Sequence, residues 1–336
     1  MRLATIQNPE TDYHAQILIL PGGQRFEYSI VASLLNLPLA SLIEEKMVIF
    51  QSDVWPFRRL DELIAKKTDF DRWWGRQEGM PGKAKEFIHA HLQNASLLPP
   101  VPTPRTFRDF YAFEQHVKTA RAKRGLEMIP AWYEVPVFYF SNPGSLIGHE
   151  QPVYAPKGSN ELDYELELGV IIGKGGKDIP PEKAWEHIAG FTIINDLSAR
   201  DLQRKEMSVG LGPAKGKDFA TAVGPYLVTL DEFQDKIDKD GRVDLEMTAR
   251  VNGKELSRGN AKTMYHSWPK LIAHASADAE LFPGDLIGSG TVGTGCILEL
   301  GPENTGGWLK PGDVVELEIE RLGVLRTPVV ARPDGK

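Results

Sequence analysis

The run Leu162-Asp163-Tyr164-Glu165-Leu166-Glu167-Leu168-Gly169-Val170-Ile171-Ile172-Gly173 decides how this chain is read. Successive side chains of a strand point to opposite faces, so Asp163, Glu165 and Glu167 share one face and Tyr164, Leu166, Leu168 and Val170 the other. Like charges at this spacing repel. Packed into a concave, partly dry site they are costly or stay protonated, unless a cation lies between them. Carboxylate oxygens are hard ligands that suit Mg²⁺, Mn²⁺ or Ca²⁺. The same alternation also fits the solvated face of an antiparallel sheet, so the strand by itself leaves both readings open.

Outward from this run, β-patterned segments dominate: 190–195, 226–229, 244–251, 285–288, 297–300 and 314–320. Asn252-Gly253 is the strongest hairpin turn in the chain. From Glu161 onward helical punctuation is sparse, at 181–188 and 264–276. Many strands with long, unequal connections predict an α+β fold, mainly β, with a rolled mixed sheet. Upstream, Leu97-Leu98-Pro99-Pro100-Val101-Pro102-Thr103-Pro104 cannot continue a helix or a central strand. It reads as an extended linker that divides an N-terminal domain, 1–98, from a larger one, 105–336. Beyond it, Thr106 or Asp109 is expected to cap a helix over 110–124, with Gly125 as its stop.

With 336 residues, 41% hydrophobic and 25% charged, the chain can bury a sizeable core. A net charge of -7 argues against a general binder of nucleic acid or acidic membrane surfaces, which recruit basic patches. A small anionic substrate stays compatible with it, because a bound metal and a few local cations reverse the potential of one pocket. Cys296 is the single cysteine, so no internal disulfide forms. No apolar run of about 18 residues marks a membrane span, and the first residues lack a signal-peptide segment. A cytoplasmic location is the expectation.

Three further segments carry chemistry, and two attractive patterns do not. On the expected helix, Asp109 and His116 stand two turns apart, about 10.5 Å along the axis, too far to ligate one ion together. They can flank a small substrate, the carboxylate at its metal-bound end and the imidazole at its reacting end; alternatively Asp109 only caps the helix and His116 is an ordinary surface or core histidine. Asp196 ends the apolar strand Phe191-Thr192-Ile193-Ile194, where side chains emerge into pockets. A helical turn after it puts Arg200 and Gln203 on one face, with a structural Asp196–Arg200 ion pair as the alternative. The loop Gly212-Pro213-Ala214-Lys215-Gly216-Lys217-Asp218-Phe219-Ala220-Thr221 offers two lysines. Gly288-Ser289-Gly290-Thr291-Val292-Gly293 matches a dinucleotide-binding fingerprint, but a strand is expected at 297–300 where a helix is required. Asp238-Lys239-Asp240-Gly241 fails as a calcium loop, since Lys236 and Met247 would fall on ligand positions.

In order, Asp109-Phe110-Tyr111 with His116, Glu165-Leu166-Glu167, Asp196-Leu197-Ser198-Ala199-Arg200-Asp201-Leu202-Gln203, Lys217-Asp218-Phe219-Ala220-Thr221, and Ser289-Gly290-Thr291 leading to Glu299 resemble the fumarylacetoacetate hydrolase family. The match runs from about Phe107 to Val329. It implies a mixed β-sandwich or β-roll catalytic domain after a small SH3-like domain, and a homodimer. It also implies a divalent metal held by Asp109, Glu165, Glu167 and Asp196. Asp163 has the right strand phase but matches no ligand position. By the same resemblance His116 is the general base, Glu299 orients it, and Arg200, Gln203 and Lys217 bind substrate and stabilise developing negative charge. Tyr111, Tyr139 and Thr291 resemble substrate contacts, and Thr221 lies near the metal.

The implied activity is metal-dependent hydrolysis of a carbon–carbon bond in a β-diketo acid, fumarylacetoacetate-like or acylpyruvate-like, in aromatic catabolism such as tyrosine degradation. Relatives on the same platform are decarboxylases, hydratases and isomerases of 2-oxo acids, and a non-catalytic Ca²⁺-binding protein is the reading from another class. The combination of Asp109, His116 and Glu299 favours hydrolysis. Between Thr291 and Glu299 the chain is shorter than in the animal-type hydrolase, so a different distal substrate wall is expected.

Overall fold

The computed structural model describes residues 2–8, 13–19, 28–29 and 96–333. In chain order the strands of its largest sheet are β1 (Arg2–Asn8), β2 (Tyr13–Ile19), β3 (Tyr28–Ser29), β4 (Ser96–Leu98), β5 (Phe107–Phe110), β6 (Phe138–Ser141) and β7 (Leu146–Ile147). After the short β8 (Leu162–Asp163) come β9 (Leu166–Ile172) and β10 (Ile188–Asn195), then β11 (Ser198–Ala199), β12 (Thr221–Thr229), β13 (Glu246–Val251), β14 (Lys254–Asn260), β15 (Leu286–Gly288), β16 (Val314–Ile319) and β17 (Gly323–Pro328). The large sheet runs β3-β2-β1-β12-β10-β9-β15-β5-β6, with β4 on β1 and β7 on β12; β14-β13-β16-β17 form a second sheet, and β8 pairs with β11. The fold is mixed, mostly strand and curled, as the pattern predicts.

Hydrophobic alternation in β9 explains why the sheets stack. Tyr164, Leu166, Leu168, Val170 and Ile172 are buried in the main core with Phe191, Phe233, Trp268, Met247 and Leu317, so one face of the large sheet packs on the second sheet. Each such aliphatic side chain contributes about 1.5–3 kcal/mol of burial. The opposite face changes character along its length. At one end Ile171 joins a smaller cluster with Phe107, Ile194, Val223 and Leu286; at the other, Glu165 and Glu167 stand buried with 5% and 1% exposure. A solvated acidic face is therefore ruled out.

The hairpin at Asn252-Gly253 forms as expected, with both residues at positive φ, 53° and 77°, between paired Val251 and Lys254. Two expectations fail. The helix expected over 110–124 begins only at Glu114 and runs Glu114–Ala122, because Asp109 belongs to β5, paired with Gly288 on one side and Tyr139 on the other. Asp109 and His116 are thus not two turns apart on one helix. The strand expected at 297–300 is a one-turn helix, Ile297–Leu300, whose first N–H groups are capped from afar by Asp163. The dinucleotide reading gains nothing from this helix, since the N–H groups that would hold a phosphate are already occupied.

The SH3-like domain expected over 1–98 lies largely outside the described residues; of the strands described there, β1 pairs with β2, β4 and β12. Leu98 and Val101 of the proline-rich bridge are buried. Among the described residues no helix is long and apolar enough to cross a membrane.

Candidate active site

Two strands and the end of a third bring the carboxyl groups together. Asp109 comes from β5, Glu165 and Glu167 from the acidic face leading into β9, and Asp196 from the residue after β10. Oxygens of Asp109, Glu167 and Asp196 lie within 4.8 Å of one another, and all three residues are buried. Gly288 of β15 sits between β5 and β9. A β-carbon there would stand 2.3 Å from Asp109 Oδ1 and 3.0 Å from Glu167 Oε2, so only glycine leaves the two carboxyls in place.

Around this cluster the charges are unevenly compensated. Arg200 heads the helix Arg200–Met207; its Nε donates to Asp163 Oδ2 and its Nη2 to Glu165 Oε1, each at 2.8 Å, and its Nη1 to Gln203 Oε1 at 3.0 Å. The Asp196–Arg200 pair does not form. Buried Lys217 donates instead to Asp196 Oδ2 at 2.5 Å and to Glu165 Oε2. Burial opposes charge on Lys217, but Asp196 and Glu165 outweigh it and hold its pKa above the usual range. Burial likewise would raise Glu165, yet Lys217, Arg200 and His116 hold its carboxyl well below the carboxylate range. Asp196 is further bound by Tyr139 Oη, donating at 2.6 Å to Oδ2, and by Thr221 Oγ1 at 3.2 Å to Oδ1.

Among the described residues, no cation pairs directly with Asp109 or Glu167, although Lys217 acts on Asp109 from farther off. Asp109 Oδ1 and Glu167 Oε2 are buried without a hydrogen-bond partner. Burial first, then Asp196 for the one and Asp109 for the other, drive both carboxyls well above their ordinary pKa. Two orphaned, buried oxygens among three clustered carboxyls form the donor set that a hard divalent cation satisfies. The residues present fit a metal. Glu165 differs from the other three expected ligands, for both its oxygens are engaged by cations.

His116, on the helix Glu114–Ala122, stands on the other side of Glu165. Its Nδ1 lies 2.5 Å from Glu299 Oε1 and its Nε2 4.0 Å from Glu165 Oε1. Glu299 is the third residue of the capped one-turn helix, and its Oε2 accepts from the Thr294 N–H at 3.0 Å. The ring of Tyr111 packs edge-on to His116, centroids 5.3 Å apart; burial and the Glu165 charge push its hydroxyl up to about 12. Thr291 Oγ1 reaches Glu167 Oε1 at 3.4 Å. All twelve residues singled out in the sequence therefore converge on one buried region. Two features are not foreseen in the sequence: the role of Gly288, visible there only as a strand end and the first glycine of a discarded dinucleotide fingerprint, and the double contact of Asp163, whose strand phase is its one visible sign.

The family model described as fumarylacetoacetate (FAA) hydrolase C-terminal matches residues 105–330. The 2,4-didehydro-3-deoxy-L-rhamnonate hydrolase of Sphingomonas sp. (strain SKA58) is 37% identical over 195 residues, 58% of this chain and 65% of that protein. The mitochondrial oxaloacetate tautomerase FAHD2A of Homo sapiens is 38% identical over 197 residues, 58% of this chain and 59% of that protein. This chain thus matches less than two thirds of either relative's length. Among solved structures, a putative HpcE protein from Mycobacterium smegmatis aligns with a TM-score of 0.67 at 27% identity, over 99% of this chain and all of that one. Fumarylpyruvate hydrolase from Pseudomonas aeruginosa, in complex with Mn²⁺ and pyruvate, gives a TM-score of 0.56 at 25% identity, over 70% of this chain and 92% of that one. With its catalytic-domain motifs, its sheet topology and this match in agreement, the chain belongs to the fumarylacetoacetate hydrolase family.

Proposed function

We propose that this protein is a divalent-metal-dependent hydrolase that cleaves a carbon–carbon bond in a small β-diketo acid of the acylpyruvate or fumarylacetoacetate kind. The observation that carries this reading is the buried His116–Glu299 pair beside the carboxyl cluster, a carboxylate-oriented base of the kind that addition of water to a carbonyl requires. Asp109, Glu167 and Asp196 would hold the ion, with Glu165 as the fourth carboxylate beside them, balanced by Lys217 and Arg200. When bound, the ion supplies Lewis-acid polarisation of the carbonyl oxygens of a chelating dioxo acid.

The chain's own residues supply the rest. Glu299 Oε1 accepts the Nδ1 proton of His116, which fixes the tautomer and leaves Nε2 as the basic position. A water against Nε2 gives up a proton as its oxygen adds to the acyl carbonyl, and Glu299 stabilises the imidazolium that forms. Collapse of that adduct breaks the carbon–carbon bond, and the electron pair leaves as an enolate. Lys217, Arg200 and Gln203 present N–H donors where this negative charge develops. Proton return from His116 to carbon completes a carboxylic acid and an oxo acid, a 2-oxo acid where the substrate is an acylpyruvate.

A second reading has specific support. The oxaloacetate tautomerase among the relatives favours keto–enol interconversion of a 2-oxo acid on the same residues, which needs proton transfer but no addition of water. A product-resolved assay over acylpyruvates, fumarylpyruvate and oxaloacetate tests the two. Cleavage of a diketo acid that EDTA abolishes and Mg²⁺ or Mn²⁺ restores supports hydrolysis; turnover of oxaloacetate alone supports the tautomerase. A homodimer in the cytoplasm goes with either reading, and light scattering at the 37.4 kDa monomer mass would count against the dimer.

A further inference from the structure

Asp163 is wholly buried, yet it is no member of the three-carboxyl cluster. Its Oδ2 accepts from Arg200 Nε at 2.8 Å and from the Leu298 N–H at 3.0 Å, while its Oδ1 accepts from the Ile297 N–H at 2.7 Å. The helix that carries Glu299 has only four residues, too short to hold itself, and its Cys296 cap position offers no side-chain acceptor. A carboxylate 134 residues upstream in sequence does what a local cap would. That same carboxylate grips Nε of the guanidinium whose Nη2 donates to Glu165 and whose Nη1 donates to Gln203. We propose that Asp163 is a positioning residue that ties the Glu299 helix to Arg200, so that one buried carboxylate sets both the base pair and the substrate-binding cation.

This assignment rests on reading His116 and Glu299 as the base pair. Local chemistry explains why an aspartate is needed. An amide at 163 retains one acceptor, so whichever way Asp163→Asn turns, either the Ile297 N–H or the pair formed by Arg200 Nε and the Leu298 N–H faces another donor. The Glu299 helix or the guanidinium must then shift, and a displacement near 1 Å at a reacting group costs up to about 10²-fold in rate. A purely stabilising carboxylate would lower the melting temperature and leave the base pair as it was.

The test uses the full-length chain and two readouts. In proton NMR the Nδ1 proton of His116, recognised by its disappearance in His116→Gln, is expected far downfield and should move upfield or vanish by exchange in Asp163→Asn at temperatures where the protein stays folded. In kinetics Asp163→Asn should lower kcat by up to about 10²-fold, and that loss should shrink to within about threefold in a Glu299→Gln background, because residues acting as a unit are not additive. An unchanged His116 proton resonance in Asp163→Asn overturns the proposal, as does a kcat loss that multiplies in full with that of Glu299→Gln. Should Asp163→Asn not fold, Asp163→Ser, which leaves room for a bridging water, carries the same two measurements. The NMR readout needs no substrate, so a failure of the hydrolase reading would appear as absent turnover with the proton shift intact.

Discussion

His116 Nδ1 and Glu299 Oε1 lie 2.5 Å apart although 183 residues separate them in sequence. Removing the imidazole should cost about 10²–10⁴ in kcat, the range for a positioned general base, with Mn²⁺ affinity by calorimetry nearly unchanged. Glu299→Gln should show a milder loss of the same kind, since the amide holds the ring but stabilises its cation poorly. Loss of metal binding in His116→Ala with near-normal turnover would reverse the roles given to these residues.

Gly288 tests the metal site without touching a ligand. An added methyl meets Asp109 Oδ1 at 2.3 Å and Glu167 Oε2 at 3.0 Å, so one carboxyl must swing away. Gly288→Ala should weaken Mn²⁺ binding by about 10–100-fold, as changes beside metal ligands do, with the circular dichroism of the folded protein retained. Equal affinity in Gly288→Ala and wild type would place the ion elsewhere.

Lys217 shares Glu165 and Asp196 with the proposed ion, which gives a stability signature. Breaking a buried ion pair leaves uncompensated charge that costs about 3–5 kcal/mol, and a dication bound at a hundred times its Kd returns about 2.7 kcal/mol. Lys217→Met should therefore melt lower than wild type without metal and gain more from added Mg²⁺. Identical Mg²⁺-induced shifts in the two proteins would show that lysine and metal do not act on the same carboxylates.

How far the sequence discloses this arrangement depends on whether a contact is local. The alternation Tyr164, Glu165, Leu166, Glu167, Leu168 is local, and it foretells which face packs in the core and which turns to the site. Asn252-Gly253 is local too, and its turn forms as expected. Asp109 misleads because Asp before an aromatic, periodic stretch looks like a helix cap, whereas cross-strand pairing with Gly288 and Tyr139 makes it a strand residue. Ile297–Leu300 misleads for the same reason in reverse, since an apolar run too short for periodicity takes its conformation from Asp163. The candidate site residues are legible through ordered family motifs, while the pairing of Glu165 with both Lys217 and Arg200 depends on the fold alone.

The central claim is that His116 activates water for addition to a diketo acid, and isotope incorporation tests it most directly. An acylpyruvate incubated with the Mn²⁺-loaded enzyme in H₂¹⁸O, for times short against spontaneous carbonyl exchange, should release an acyl carboxylate carrying solvent oxygen, and His116→Ala should suppress that product. Turnover of oxaloacetate with His116 dispensable, and no labelled carboxylate from any diketo acid, would contradict the account and assign the site to proton transfer alone.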